Sequence, residues 1–363
     1  MTMRVAIVMP PATNADPEQT LDGWPSVVQQ AKALREHAGL HVMVACRTTL
    51  SAATVERDGV TYRFMSTDAA LVREVAQWGP DVVHVHGFGF TRLNLRLGRA
   101  LRRKSAIVLQ HHGETPGRRR TVLAHRAVRR SVDGYLFTGA LFGQAQPFID
   151  CGMIHNTASC FEVLEAANTL PTGRTSSSAP VNLAGSPAVL WVGRLIESKD
   201  PLTAVDAFAQ AATSELRDAH LHLLATDRTL EPQVRAAIAA LGDVGTRVHI
   251  HDPVSASEMH HWYQAADIAL STSWREGSGY ALIEAITDGC VPVATGIPSH
   301  RAIVGDLIGT FAPGDAPAAA QLIGAASRMS SELVVKHANE TLTWRAVAGQ
   351  LARCYESVVY SRG

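Results

Sequence analysis

The 363 residues set 33 Lys and Arg against 33 Asp and Glu, which excludes a whole-molecule polyanion binder, and 46% apolar with 18% charged residues describes a folded chain long enough for two cores. No apolar run reaches the length of a membrane span, and the opening Met-Thr-Met-Arg-Val-Ala-Ile-Val-Met runs into a strand pattern rather than a signal peptide. Five cysteines with no Cys-x-x-Cys pair argue against a disulfide framework and against zinc, so the cytoplasm is the expected compartment.

In chain order, residues 4–9 predict a buried strand, 26–37 a helix and 41–46 the next strand. Further strands are expected at 81–86, 106–110 and 134–138. Strands alternating with helical patterns predict an α/β domain with a doubly wound parallel sheet over 1–170. Residues 171–187 are rich in Pro, Gly, Ser and Thr and read as a linker. A second alternating series, with strands at 188–193, 220–225, 247–251, 268–271 and 291–294, predicts a second such domain over 188–340. Residues 341–363 close the chain with a helix.

The stretch from Ser271 to Thr295 is the most informative. It reads as a strand end, a turn through Gly277, Ser278 and Gly279, a short helix closed by Gly289, and a second apolar strand. Glu276 stands at the carboxyl end of the first strand and Glu284 just over one turn into the helix. Both are expected at the crevice where open parallel sheets bind ligands. The glycines allow close main-chain approach, and the amides of Gly279, Tyr280 and Ala281 form a helix N-terminus suited to phosphate. Acids beside an anion site suit a sugar nucleotide: carboxylates take the hydroxyls, amides and cations the diphosphate. A loop with two cations, Arg194 and Lys199, follows the strand at 188–193 and can converge on one diphosphate.

From Ser273 through Ala294, including the acid–seven residues–acid spacing of Glu276 and Glu284, the sequence resembles the retaining glycosyltransferases of family four, with the GT-B fold. Gly193-Arg194…Lys199 resembles that family's Gly-Arg…Lys motif, although Asp200-Pro201 replaces the usual glycine after the lysine. The resemblance implies two Rossmann-like domains facing across a cleft, the first taking the acceptor and the second the nucleotide sugar, with the closing helix packing back toward the first. It implies catalytic roles for Glu276, His112, Arg194 and Lys199: Glu276 on the donor sugar, the two cations on the departing diphosphate. Glu284 would bind the ribose, with Gly277, Ser278, Gly279 and Tyr280 lining the donor site. His112-Gly113-Glu114 aligns with the family's His-Gly-Asp segment and places His112 near the donor sugar, with His111 one residue away as the alternative. Gly23 stands where the family carries a glycine pair after the first strand. Two acids at this spacing could also suggest a glycosidase pair, but their expected partners are hydroxyls on different parts of one donor.

Three His-x-His pairs (His84 and His86, His220 and His222, His249 and His251) each share a strand face. Without a third ligand at workable spacing they read as core or cleft-rim histidines, and no metal site is expected. No Asp-x-Asp occurs, which speaks against the metal-dependent GT-A class. The resemblance implies no cofactor beyond the nucleotide-diphosphate sugar donor. A saccharide, lipid-linked or small-molecule acceptor is expected, and no nucleic acid. Between Arg92 and Arg130 there are twelve Lys or Arg and one acid, Glu114, which suits an anionic membrane surface, a phosphorylated acceptor or a solvated helix face equally. A catalytically silent nucleotide-sugar module and a sugar-nucleotide epimerase of the same architecture are the alternative functions.

Overall fold

The computed structural model describes residues 2–12, 16–117, 119–169, 171 and 181–362. The chain divides into two compact units: residues 1–164 with 344–363, and residues 165–343. Most of the expected linker, residues 172–180, lies outside the described residues.

Unit 1 begins with β1 (Arg4–Val8), α1 (Pro17–Asp22), α2 (Pro25–Ala38), β2 (His41–Arg47), β3 (Ala53–Arg57), β4 (Val60–Met65) and α3 (Asp68–Trp78). It continues through β5 (Val82–His86), α4 (Thr91–Leu101), β6 (Ala106–Gln110), α5 (Arg119–Val128), β7 (Gly134–Phe137), α6 (Gln146–Asp150) and β8 (Cys160–Glu162). The sheet order is β3-β4-β2-β1-β5-β6-β7-β8, parallel except for the β3–β4 pair. Strands β5 and β6 are buried at every residue. That is why they read as continuous apolar runs: a parallel sheet is covered on both faces.

The β3–β4 hairpin escapes that pattern. Its β3 strand alternates half-buried with exposed residues, and it turns through Asp58 (φ 53°) and Gly59 (φ 71°), the two positive φ values of a type I′ turn. The Asp-Gly pair was its one sequence signal.

Unit 2 contains β9 (Ala188–Gly193), α7 (Pro201–Ser214), β10 (His220–Ala225), α8 (Glu231–Ala240), β11 (Val248–His251), α9 (Ala256–Ala265) and β12 (Ile268–Ser271). After these come α10 (Tyr280–Thr287), β13 (Val291–Ala294), α11 (Pro298–Val304), α12 (Ala316–Ala326) and α13 (Ser331–Thr341). Its five strands are all parallel, in the order β11-β10-β9-β12-β13. The chain runs outward from β9 to β11, then restarts on the other side at β12. The boundary between β9 and β12 is therefore the topological switch point, where connections diverge and leave a crevice at the strands' carboxyl ends. Trp191, Phe208, Ile268, Ile283, Ile286 and Ile303 are fully buried around this sheet.

The closing helix expected over 341–363 is α14 (Trp344–Tyr360), which follows α13 after Leu342 and Thr343. α14 belongs to unit 1. It packs on α2 and β6 and buries Val347, Leu351, Cys354, Tyr355 and Val358. Among the described residues no helix is long and apolar enough to cross a membrane.

Candidate functional site

A cavity opens at the switch point of unit 2. Its floor is Leu190 and Val192 of β9 with Ala269, Leu270 and Ser271 of β12; its rim is Lys199, Glu276, Gly279, Tyr280 and His300. Three loops at strand carboxyl ends build it, and hydrogen bonds lock two of them together. Thr272, fully buried, donates its hydroxyl toward the carbonyls of Lys199 (3.0 Å) and Asp200 (2.7 Å). Trp274 donates its main-chain N–H to Ser198 O (3.0 Å) and its indole N–H to Asp200 Oδ2 (3.0 Å). Trp191, under the floor, donates to Thr272 Oγ1 at 3.1 Å.

This clamp brings the two charges together. Lys199 Nζ forms an ion pair with Glu276 Oε1, both side chains about one-fifth exposed, and Ser273 donates to the same oxygen at 2.8 Å. A carboxylate already facing a cation and a hydroxyl is held in one orientation. Its remaining lone pairs are available to ligand hydroxyls. Gly279 is the N-cap of α10 at φ 68°, and a Cβ there would stand 2.7 Å from Ile303 Cδ1. Only glycine fits that turn, and it leaves the first amides of α10 at the cavity without intrahelical acceptors.

Glu284 sits one turn further along α10, outside the cavity lining. Tyr263 donates to its Oε2 at 3.4 Å, and Tyr263 itself lines the cavity. Burial pushes Glu284 up to about 7, helped by the charge of Asp288, four residues on. Asp288 is itself pushed up to about 6 by burial, with His260 Nδ1 2.6 Å from its Oδ1 drawing it back down. Arg194 is exposed at the start of its loop and does not line the cavity; nor do Gly277 and Ser278. Of the expected donor-site residues, then, Lys199, Glu276, Gly279 and Tyr280 share one cavity.

In unit 1, Gly23 does not form a phosphate-type loop. The helix α1 intervenes after β1, and Gly23 caps its end with an ordinary negative φ of −76°, its amide directed at Gln19 O and Leu21 O. His112 follows β6 in an exposed position. Its Nε2 lies 3.0 Å from Nδ1 of the buried His86, with the rings stacked at 5.1 Å. Glu114 organises the turn, accepting from Phe88 N (2.8 Å) and His112 N (2.5 Å). His111 is buried, its Nε2 2.9 Å from Glu114 O, so His112 is the one of the pair that is presented outward.

The family model described as glycosyl transferases group 1 matches residues 186–328. A D-inositol 3-phosphate glycosyltransferase of Xylanimonas cellulosilytica is 31% identical over 159 residues, 42% of this chain and 37% of that enzyme. The second curated relative, from Catenulispora acidiphila, is matched over 47% of its length, so the chain spans less than half of either. Solved structures extend the fold to both units. A glycosyltransferase from Rickettsia africae superposes with a TM-score of 0.68 at 14% identity, covering 98% of each chain. An Anabaena protein, HepE, solved with UDP and glucose, gives 0.64 at 14% identity over 98% of this chain and all of that one. The architecture is GT-B, with two Rossmann-like parallel-sheet units.

Within the matched segment, His300 and Tyr263 line the cavity but carry no motif. His300 is buried, and that burial pulls it down to about 4, so it is a neutral imidazole; its Nδ1 meets Thr295 Oγ1 at 3.1 Å. Its signal was its place in the first turn of the helix that follows a buried parallel strand, where ligand groups collect. The other histidine pairs are structural. His220 Nδ1 meets His249 Nε2 at 2.9 Å and His222 Nδ1 meets His251 Nε2 at 3.0 Å across β10 and β11. Among the described residues, no three His, Cys, Asp or Glu side chains gather in a metal-holding group.

Proposed function

We propose that the chain is a retaining glycosyltransferase that moves a sugar from a nucleotide-diphosphate sugar to a hydroxyl acceptor. The observation that carries this reading is the Lys199–Glu276 pair at the switch point of a group 1 domain, beside the N-terminus of α10. In this reading Glu276 accepts from hydroxyls of the donor sugar, and Lys199 and the α10 amides stabilise charge developing on the departing diphosphate. Arg194, on the same loop, is positioned in sequence to swing onto that diphosphate from solvent. Glu284, outside the cavity lining and hydrogen-bonded to the lining Tyr263, takes the ribose in this reading. The C1–phosphate bond breaks as the acceptor oxygen bonds to C1 from the same face, and the leaving phosphate oxygen takes the acceptor's proton. No protein base is then needed. His112 approaches the donor sugar in the same scheme.

The acceptor is proposed to carry an anionic group. The two curated relatives are named for D-inositol 3-phosphate. In unit 1, a groove lined by Arg92 and Arg120 with Phe90 and Leu93 offers two cations over apolar surface, beside Arg47, which is paired with Asp68 at 3.4 Å. Helix α5 also exposes Leu123 among Arg119, Arg120 and Arg126, so contact with an anionic membrane through this segment belongs to the same proposal.

The test is a thermal-shift panel of UDP, GDP, ADP and TDP with their sugar conjugates, with and without EDTA. A ligand at about a hundred times its dissociation constant adds about 2.7 kcal/mol, a shift of several degrees. One nucleotide standing out and then supporting transfer with retained anomeric configuration is the expected result. No response from any of them, with no transfer, would overturn the reading. Sedimentation with anionic vesicles at low salt tests the membrane clause, and absence of binding there removes it.

A further inference from the structure

We propose that His86 is a positioning residue that fixes the tautomer of His112, so that His112 carries its proton on Nδ1 and accepts at Nε2. The two imidazoles meet at 3.0 Å through His86 Nδ1 and His112 Nε2, and one of the two nitrogens must hold the proton between them. Two observations decide which.

The first is the far side of His86. Its Nε2 is fully buried and has no hydrogen-bonding partner among the described residues. Were His86 the acceptor, that nitrogen would carry an N–H stranded in the interior. As the donor, His86 leaves only a bare lone pair there. Orphaned buried N–H groups are the rarer case in proteins.

The second is Glu114. Its carboxylate is held 2.5 Å from the main-chain N–H of His112; desolvation of the ring pulls His112 below the usual histidine range, and the charge of Glu114 opposes this only in part. The ring is therefore neutral, with a single N–H to place on one of its two nitrogens.

His86 is in turn held in place. It stacks on His84 at 4.6 Å, and His84 Nδ1 meets the buried hydroxyl of Tyr355 at 2.7 Å. Burial keeps both His84 and His86 well below the usual histidine range, so neither is an imidazolium at neutral pH. The assembly is thus a column of neutral rings running from α14 through β5 to the turn after β6. A free neutral imidazole exchanges between tautomers; this column selects one, as an oriented partner does for a working histidine.

The experiment reads nitrogen protonation directly. Histidine-¹⁵N-labelled full-length protein is examined by long-range ¹H–¹⁵N correlation, with His112 assigned by its loss in a His112→Gln variant. The expected spectrum has a pyrrole-type shift at Nδ1 and a pyridine-type shift at Nε2 of His112. The reverse pattern overturns the proposal without any variant, so a His86 substitution that fails to fold leaves it testable. His86→Asn, whose amide can donate from near the Nδ1 position, is expected to keep the tautomer; His86→Leu is expected to return His112 to a mixture. An unchanged His112 spectrum in folded His86→Leu also overturns it.

The consequence for turnover rests on the transferase reading. There, His86→Leu should lower kcat about tenfold with little change in KM, and His86→Asn should recover most of it. An altered tautomer with unaltered kcat would count against the role of His112 in transfer while leaving the positioning by His86 standing.

Discussion

Asp200 holds φ 48°, a left-handed conformation that costs a residue with a side chain on the order of 1–2 kcal/mol. Its carboxylate offsets that cost by accepting from Thr203 N (3.2 Å), Thr203 Oγ1 (2.7 Å) and Trp274 Nε1 (3.0 Å). This explains an aspartate where the family resemblance would place glycine: the strained residue both caps α7 and joins the Lys199 loop to the Glu276 loop. The charge of Glu276 is the most consequential single group. Glu276→Gln keeps the shape, removes the partner of Lys199, and should lower kcat roughly 10²–10³-fold, as loss of one preorganised electrostatic contact does. Its Tm should move little, because a partly exposed ion pair contributes on the order of 1 kcal/mol or less. Arg194→Ala should leave Tm unchanged, since the side chain is exposed, and weaken nucleoside diphosphate binding about tenfold by titration calorimetry. Wild-type turnover and affinity in these two variants would refute the site.

Glu284 yields a prediction with a definite sign. The folded protein holds its proton up to about pH 7, whereas the unfolded chain releases it near 4.5. Across that interval the folded state binds more protons, so stability falls as pH rises from about 4.5 to about 7. Asp288, raised from 3.8 to about 6, acts in the same direction at the lower end. Glu284→Gln removes the larger contribution. Relative to wild type, its stability should therefore increase through that window and level off above pH 7, at roughly 1–3 kcal/mol. Denaturant melts at pH 5 and pH 8 measure this. A difference that shrinks with rising pH contradicts the assignment.

At the scale of elements, α10 is the piece that turns a sheet into an anion site, and its start depends on one glycine. Gly279→Ala must accommodate a positive φ and a Cβ against Ile303. It should cost roughly 1–3 kcal/mol and weaken diphosphate binding together, because the amides of α10 shift with the turn. A loss of stability with undiminished binding would separate the helix start from the ligand. The turn also shows what the sequence makes legible. Glu276, the Gly-Ser-Gly run and Glu284 are neighbours along the chain, so their placement follows from a strand, a turn and 3.6-residue periodicity. The Arg4–Val8 and Ala188–Gly193 strands were equally plain, being covered on both faces.

His300 and Tyr263 were not legible. They reach the cavity only because β13 and β9 flank β12, a register that no local pattern encodes. The β3–β4 hairpin carries no continuous apolar run because one of its faces is wet. Gly23 shows the opposite limit: the sequence places a glycine between strand and helix, and the six-residue helix that fits between them and uses its amide has no apolar periodicity to announce it.

At the scale of the whole molecule, the chain leaves unit 1 at Leu164 and re-enters it at Trp344, so unit 2 is an insertion between the sheet of unit 1 and α14. Leu351 on α14 is fully buried, and Leu351→Ala should destabilise by roughly 2–5 kcal/mol. Hydrogen exchange should place that loss in β1, β5, β6 and α2 and leave protection of β9 and β12 unchanged. Equal loss in both sheets would mean that the two units unfold as one.

The same discontinuity has a consequence for biosynthesis. A ribosome delivers the last residue of unit 2, Thr343, while α2 still waits for the cover that α14 gives it. For as long as α14 is inside the exit tunnel, the apolar part of α2 that it covers faces water. During this interval the nascent chain is the natural client of a holding chaperone, and its yield on overexpression should be limited there rather than by the stability of the completed fold.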